Sequence, residues 1–220
     1  MNVMLSWSSG KDSAWTLHTL RQQGVAVTGL LTTVNVTHDR VAMHAVRREL
    51  LRAQADAAGL PLHEVELPWP CSNEIYEQQM ARACAQARSR GVTHMAFGDL
   101  FLADVRKYRE DRLAPTGLQP LFPLWGRDTA RLARDMVGGG LRAVLTCVDP
   151  AQIDAKFAGR EFDARLLAEL PPGCDPCGER GEFHTFVFEG PMFRVPLAVK
   201  AGPVVTRDGF VFADLLPAGG

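Results

Sequence analysis

No stretch of the 220-residue sequence carries the roughly 18 consecutive apolar residues that a membrane-crossing helix requires, so a helical membrane protein is not expected. Residues 1–8 have neither a basic opening nor a long apolar run, and do not read as a secretion signal. Net charge is missing too. Lys and Arg total 24 against 25 Asp and Glu, giving −1 and no global pull toward nucleic acid or anionic membrane. The five cysteines are odd in number and irregular in spacing, unlike a secreted disulfide framework; a reducing cytoplasm is the expected location. Internal repeats and low-complexity linkers are absent as well. What remains is an ordinary globular composition, 46% hydrophobic and 22% charged, enough for one good core or a main domain with a smaller appendage.

The first half alternates short apolar runs with helical periodicity. Val3-Met4-Leu5 reads as a buried strand, followed by a helix from Ser13 to Gln23 with Ala14, Leu17 and Leu20 on one face and Gly24 to end it. Val25–Val34, Leu62–Leu67 and His94–Phe97 read as further strands, and Met43–Ala58 and Asn73–Arg90 as helices between them. Such alternation predicts an α/β fold with a parallel sheet, and ligands then sit beyond the carboxyl ends of its strands. After a soft boundary, placed at 1–123 and 124–220, the pattern changes. Leu141–Val148 reads as a strand and Glu161–Leu170 as a helix; short strands dominate from Phe183 onward, with Asp208-Gly209 as a hairpin turn.

Two stretches carry chemistry. The first, Ser8-Ser9-Gly10-Lys11-Asp12-Ser13, joins the first strand to the first helix. Small residues there let backbone N–H groups approach phosphate oxygens, and the helix start adds partial positive charge. Lys11 offers a mobile cation, and Asp12 suits Mg²⁺ or a bond to its own backbone. A Walker A pattern is absent. The second, Cys174 to Phe186, sets Glu182 and His184 at alternate positions where a carboxylate and an imidazole orient an amine or accept its proton. Cys174 and Cys177 supply only half of a tetrahedral zinc site, with no partner pair evident.

The first run resembles the PP-loop of the ATP pyrophosphatases, Ser-Gly-Gly-x-Asp-Ser, with Ser9 in place of the first glycine. Together with Gly178-Glu179-Arg180-Gly181-Glu182-Phe183-His184-Thr185, and with Gly98-Asp99 at a strand end, the chain resembles the diphthine–ammonia ligase family over nearly its whole length. The resemblance implies an adenine nucleotide α-hydrolase-like (HUP-type) domain and a smaller, strand-rich C-terminal substrate domain. It implies ATP and Mg²⁺, a substrate carboxylate that is adenylated with loss of pyrophosphate, and ammonia that displaces AMP to give an amide. A homodimer is a further implication, and a nucleic-acid partner is not.

On this view Ser8, Ser9, Gly10 and Ser13 contact pyrophosphate, and Lys11 neutralises its charge. Asp12 and Asp99, beside Gly98, are the carboxylates for the metal. Leu31, Thr32 and Thr33 frame the adenosine. Lys11, Asp12, Glu182 and His184 are the catalytic candidates; His44, Tyr108, Arg109, Glu179 and Thr185 join Glu182 and His184 as substrate contacts. Amidation of a corrinoid precursor, tRNA modification by a PP-loop enzyme and ATP sensing without turnover are the alternatives.

Overall fold

A computed structural model describes residues 1–41 and 46–218. Strand β1 (Asn2–Ser6) leads into α1 (Lys11–Gln22), β2 (Ala26–Asn35), the two-residue β3 (Arg40–Val41), α2 (Arg48–Ala58) and β4 (Leu62–Leu67). Then follow α3 (Asn73–Ser89), β5 (His94–Ala96), α4 (Ala103–Leu113) and β6 (Gln119–Leu121). Strands β4, β2, β1, β5 and β6 lie side by side, all parallel, while β3 returns antiparallel along the far end of β2. Val3 and Leu5 of β1 enter the core beneath α1 and α2, and Met4 enters a second core beneath α3. Burial on both faces explains why β1 reads as an unbroken apolar run rather than an alternating one.

The chain builds outward from β1 through β2 to β4 and then returns to β5, on the other side of β1. That reversal opens a crevice beyond the ends of β1 and β5, the position where open α/β sheets bind ligands.

The second half forms a separate antiparallel sheet. Helix α5 (Thr129–Gly138) precedes β7 (Arg142–Val148), α6 (Ala164–Glu169), β8 (Phe183–Glu189), β9 (Val199–Arg207) and β10 (Phe210–Pro217), and the strands run in the order β8-β7-β10-β9. Asp208 and Gly209 take φ values of 50° and 84° at the β9–β10 turn, as a two-residue hairpin requires. The two sheets share one hydrophobic core, since Leu17 and Leu20 of α1 belong to the same cluster as Leu145, Phe183 and Phe186. Asp214 of β10 adds a polar clasp, with Arg40 and Arg47 at 2.8 and 2.7 Å.

Two helices start later than their periodicity predicts. Arg47 is extended, bridged to Arg40 and tied to Asp214, so α2 begins only at Arg48; Met43 and His44 lie outside the described residues. Glu161 bridges Val144, and Asp163 caps α6 by accepting the Leu166 N–H at 2.7 Å, so the helix expected from Glu161 starts at Ala164.

Candidate functional site

The loop after β1 is held by its main chain. Ser9 has φ 70°, and its carbonyl accepts from Val187 N of β8 and from the Gln54 amide nitrogen of α2, both at 3.0 Å. Gln54 also donates to the Val187 carbonyl at 2.6 Å and accepts from the Trp7 indole at 2.9 Å. Two residues on, Lys11 N donates to the Thr185 hydroxyl at 3.0 Å. The β1–α1 loop is thereby fixed to β8 on the second sheet.

Gly98 closes the other side. A Cβ there would lie 2.9 Å from the Asp12 carbonyl carbon, so only glycine lets the end of β5 rest against the first turn of α1. The result is a cleft of about 230 Å³ with Lys11 and Asp12 on one wall, Asp99 beside them, and Glu179 and His184 on the wall from the second half. The Ser8 and Ser13 hydroxyls border it 3.3 Å apart, and Ser13 donates to the Gly10 carbonyl at 2.9 Å.

Charge in this cleft is strongly perturbed. Lys11 is only 2% exposed, and its amine lies 2.8 Å from Asp12 Oδ2. Burial works most strongly against the ammonium, but the surrounding acidic groups, Asp12 foremost among them, together outweigh it and the net shift is upward, so Lys11 stays charged. The other Asp12 oxygen is sealed from solvent without a hydrogen-bond partner. Burial raises Asp99, more than Arg109 at 3.5 Å lowers it. Glu179 is pushed up to about 7, chiefly by burial, although its Oε1 accepts the Leu100 N–H at 2.7 Å. Burial takes His184 down to about 4, with Lys11 adding to the effect, so the imidazole is neutral near pH 7.

Residues 1–119 match the family model of the diphthamide synthase N-terminal domain, and residues 128–210 match that of its C-terminal domain. The chain belongs to the diphthamide synthase family. A diphthine–ammonia ligase of Danio rerio is 26% identical over 98% of this chain and 92% of its own length. A bovine diphthine–ammonia ligase is 31% identical, over 52% of this chain and 45% of that protein. A solved structure titled as a predicted subunit of a tRNA methyltransferase from Methanocaldococcus jannaschii has a TM-score of 0.47 at 16% identity, covering 87% of this chain and 98% of that one.

Within this diphthamide synthase family member, most residues singled out in the sequence meet at the cleft. Ser8, Gly10, Lys11, Asp12, Ser13, Gly98, Asp99, Arg109, Glu179, His184 and Thr185 all border it. Leu31, Thr32 and Thr33 border an adjoining groove of about 450 Å³. Thr32 spends its hydroxyl on the Trp7 carbonyl at 2.7 Å, which leaves the groove wall to shape the ligand rather than bond it through that group.

Three residues stand elsewhere. Ser9 is 0% exposed, and its side chain lies beneath the loop rather than on the wall. Glu182 is 2% exposed with both oxygens taken, by Asp175 N at 2.8 Å and Arg180 N at 2.9 Å, so it shapes the 175–182 loop instead of facing ligand. Asp175 in turn accepts the Glu179 N–H at 2.9 Å, and the carboxyl presented to the cleft is Glu179. Tyr108 is 40% exposed and borders a different cavity. Burial raises the Cys174 thiol to about 12 and Cys177 further still, so both stay protonated, and Cys177 donates to the Thr129 carbonyl. Among the described residues no group of three or more His, Cys, Asp or Glu is arranged to hold a metal ion. Gln54 was not singled out, although a glutamine inside the buried stripe of Leu50, Leu51, Ala55 and Ala58 is a legible sign of a committed hydrogen-bonding role.

Proposed function

We propose that the protein is an ATP-dependent amide ligase. A substrate carboxylate attacks the α phosphate, pyrophosphate leaves, and ammonia then displaces AMP from the acyl-adenylate to give the amide. The diphthine–ammonia ligases among its relatives support this chemistry, and diphthine is the acyl substrate they favour. The N-terminal unit, taken as residues 1–123, supplies the nucleotide site, and residues 124–220 supply the facing wall. The observation that carries the proposal is the opposition of Lys11 and Asp12, at the start of α1, to a carboxyl on the other wall that titrates near neutrality.

Each residue has a task in that sequence. The start of α1, with the Ser8 and Ser13 hydroxyls, holds the departing pyrophosphate, and Lys11 offsets the charge that develops on it. The unpartnered Asp12 oxygen fits Mg²⁺, which typically takes one or two carboxylates and completes its shell with phosphates and water. Bound there, the ion supplies charge neutralisation of the phosphates. The groove at residues 31–33 frames the adenosine. The Thr185 hydroxyl accepts from Lys11 N and keeps its own proton to donate toward the acyl group. Glu179, pushed up to about 7 chiefly by burial, is suited to take the proton that ammonia loses on attack. His184, neutral and half-buried, orients the amine by hydrogen bonding.

Product analysis tests the proposal. ATP, an ammonium salt and a diphthine-bearing protein should yield AMP and pyrophosphate in equal amounts; ADP and phosphate as products would overturn it.

A further inference from the structure

The carboxyl presented to the cleft by the second half stands on a segment without helix or strand. Residues 170–182 join α6 to β8 through turns alone, and loops hold a side chain less precisely than strands or helices do. Two acidic side chains make up for this. Asp175 and Glu182 are 5% and 2% exposed, and both give their oxygens to main-chain N–H groups of the same loop. Glu182 accepts from Asp175 N through one oxygen and from Arg180 N through the other, so it ties the start of the loop to its end. Asp175 Oδ2 accepts from Glu179 N at 2.9 Å, and the Asp175 carbonyl accepts from Gly178 N at 2.8 Å. Gly181 N closes the set on the Gly178 carbonyl at 3.1 Å. Each N–H from residue 178 to residue 181 thereby has an acceptor inside the loop.

That frame converges on Glu179. Gly178 takes φ 66°, and a Cβ there would lie 2.8 Å from the Phe183 carbonyl oxygen, so the loop is pressed onto the start of β8 just before Glu179. Glu179 Oε1 accepts the Leu100 N–H at 2.7 Å, from the segment that follows β5 in the first half. Arg180 adds a second contact to that segment, its guanidinium 5.5 Å from the centroid of the Phe101 ring. With Oε1 committed to Leu100, the oxygen left for a ligand is Oε2, and its direction depends on where the main chain at residue 179 is held. Asp175 and Glu182 stand behind this wall, whereas Glu179 borders the cleft.

We propose that Asp175 and Glu182 are positioning residues: their carboxyl groups fix the main chain at Glu179 so that its free oxygen meets the amine. This rests on the amide-ligase proposal, in which Glu179 takes the proton from ammonia, and adds the two residues that aim it. Burying two carboxyl groups within eight residues is costly, and both are used to fix the short segment that carries the proton acceptor. Misplacing a reacting group by about 1 Å costs up to about 100-fold in rate, so a loop-borne base needs such support.

The test uses the full chain labelled with ¹³C-glutamate. The Glu179 carboxyl signal, assigned by its loss in Glu179→Gln, should titrate near 7 in the wild type. In Asp175→Ala and in Glu182→Gln the carboxyl slips toward solvent, and the midpoint should fall by at least one pH unit toward the ordinary 4.5. With the diphthine-bearing protein, ATP and ammonium, kcat should fall at least tenfold in both variants while KM for ATP stays within threefold. Asp175→Asn keeps an oxygen for the Glu179 N–H and should restore both the titration and kcat. Asp175→Ser, too short to reach that N–H, serves if alanine unfolds the chain. A midpoint near 7 with kcat within threefold of wild type in either variant, a loss confined to KM for ATP, or an asparagine variant as impaired as alanine would overturn the assignment. The two proposals fail separately. A lowered Glu179 midpoint with only ADP and phosphate as products sinks the ligase proposal alone, whereas AMP and pyrophosphate formed at wild-type rate by variants with an unmoved midpoint sink the positioning assignment alone.

Discussion

Replacing Ser9 by glycine should stabilise the protein, although the residue is fully buried within the β1–α1 loop. Ser9 sits at φ 70°, where a Cβ is crowded against the neighbouring carbonyl; leaving that strain behind is worth about 1–2 kcal/mol. Its hydroxyl is sealed without a partner, a further cost of about 1–3 kcal/mol that the substitution removes. Against these stands the greater freedom of glycine in the unfolded chain, about 0.4–1 kcal/mol. The balance favours Ser9→Gly by at least about 1 kcal/mol, or a rise in Tm of about 2–4 °C for a chain of this size. The carbonyl bonds to Val187 and Gln54 involve only main chain of residue 9 and survive the change. Ser9→Ala separates the contributions, because it removes the hydroxyl and keeps the strained φ, and should gain less than glycine. Urea unfolding followed by tryptophan fluorescence reads both, since Trp7 is buried beside the loop. Destabilisation by glycine of 1 kcal/mol or more, or a larger gain from alanine, would refute the strain argument.

Other consequences follow from the same contacts. Gln54→Ala removes three buried hydrogen bonds and strands the Trp7 indole N–H, so a loss of about 2–4 kcal/mol in urea unfolding is expected. Glu179 titrates near 7 folded against 4.5 unfolded, so its stabilising contribution is full below pH 4.5 and disappears as pH rises through about 7; Glu179→Gln should flatten that part of a Tm–pH curve. Asp214 is lowered to about 2 against its ordinary 3.8 by Arg40 and Arg47, once their bonds outweigh burial. Its contribution is present above pH 3.8 and fades toward pH 2, and Asp214→Asn should cost about 1 kcal/mol in unfolding experiments at pH 7.

Local patterns were legible in the sequence wherever short-range physics decides them. The apolar run at residues 3–5, the small-residue loop behind it and the Asp208-Gly209 turn all announce their conformations through periodicity or backbone freedom. Gly98 is legible as a glycine at a strand end, but its reason, contact with the Asp12 backbone, belongs to the packing of β5 against α1. Strand β6 and helix α5 escaped notice because β6 pairs over only three residues and α5 carries just three fully buried side chains. The exchange of roles between Glu182 and Glu179 is a tertiary effect. Sequence alternation puts Glu182 in step with His184, whereas the 175–182 loop folds back on itself and needs a carboxylate for two of its own N–H groups. Ser9 shows the same limit from the other direction. Its positive φ looks unfavourable locally and is imposed by Gln54 and Val187, residues far away in the chain.

The most direct test of the central claim follows an isotope. The acyl substrate, labelled with ¹⁸O in its carboxylate, is turned over with ATP and ammonium, and the AMP released is analysed by mass spectrometry. Attack of the carboxylate on the α phosphate transfers one labelled oxygen to each AMP formed, and that is the result expected. Unlabelled AMP, or label recovered in pyrophosphate or free phosphate, would contradict it.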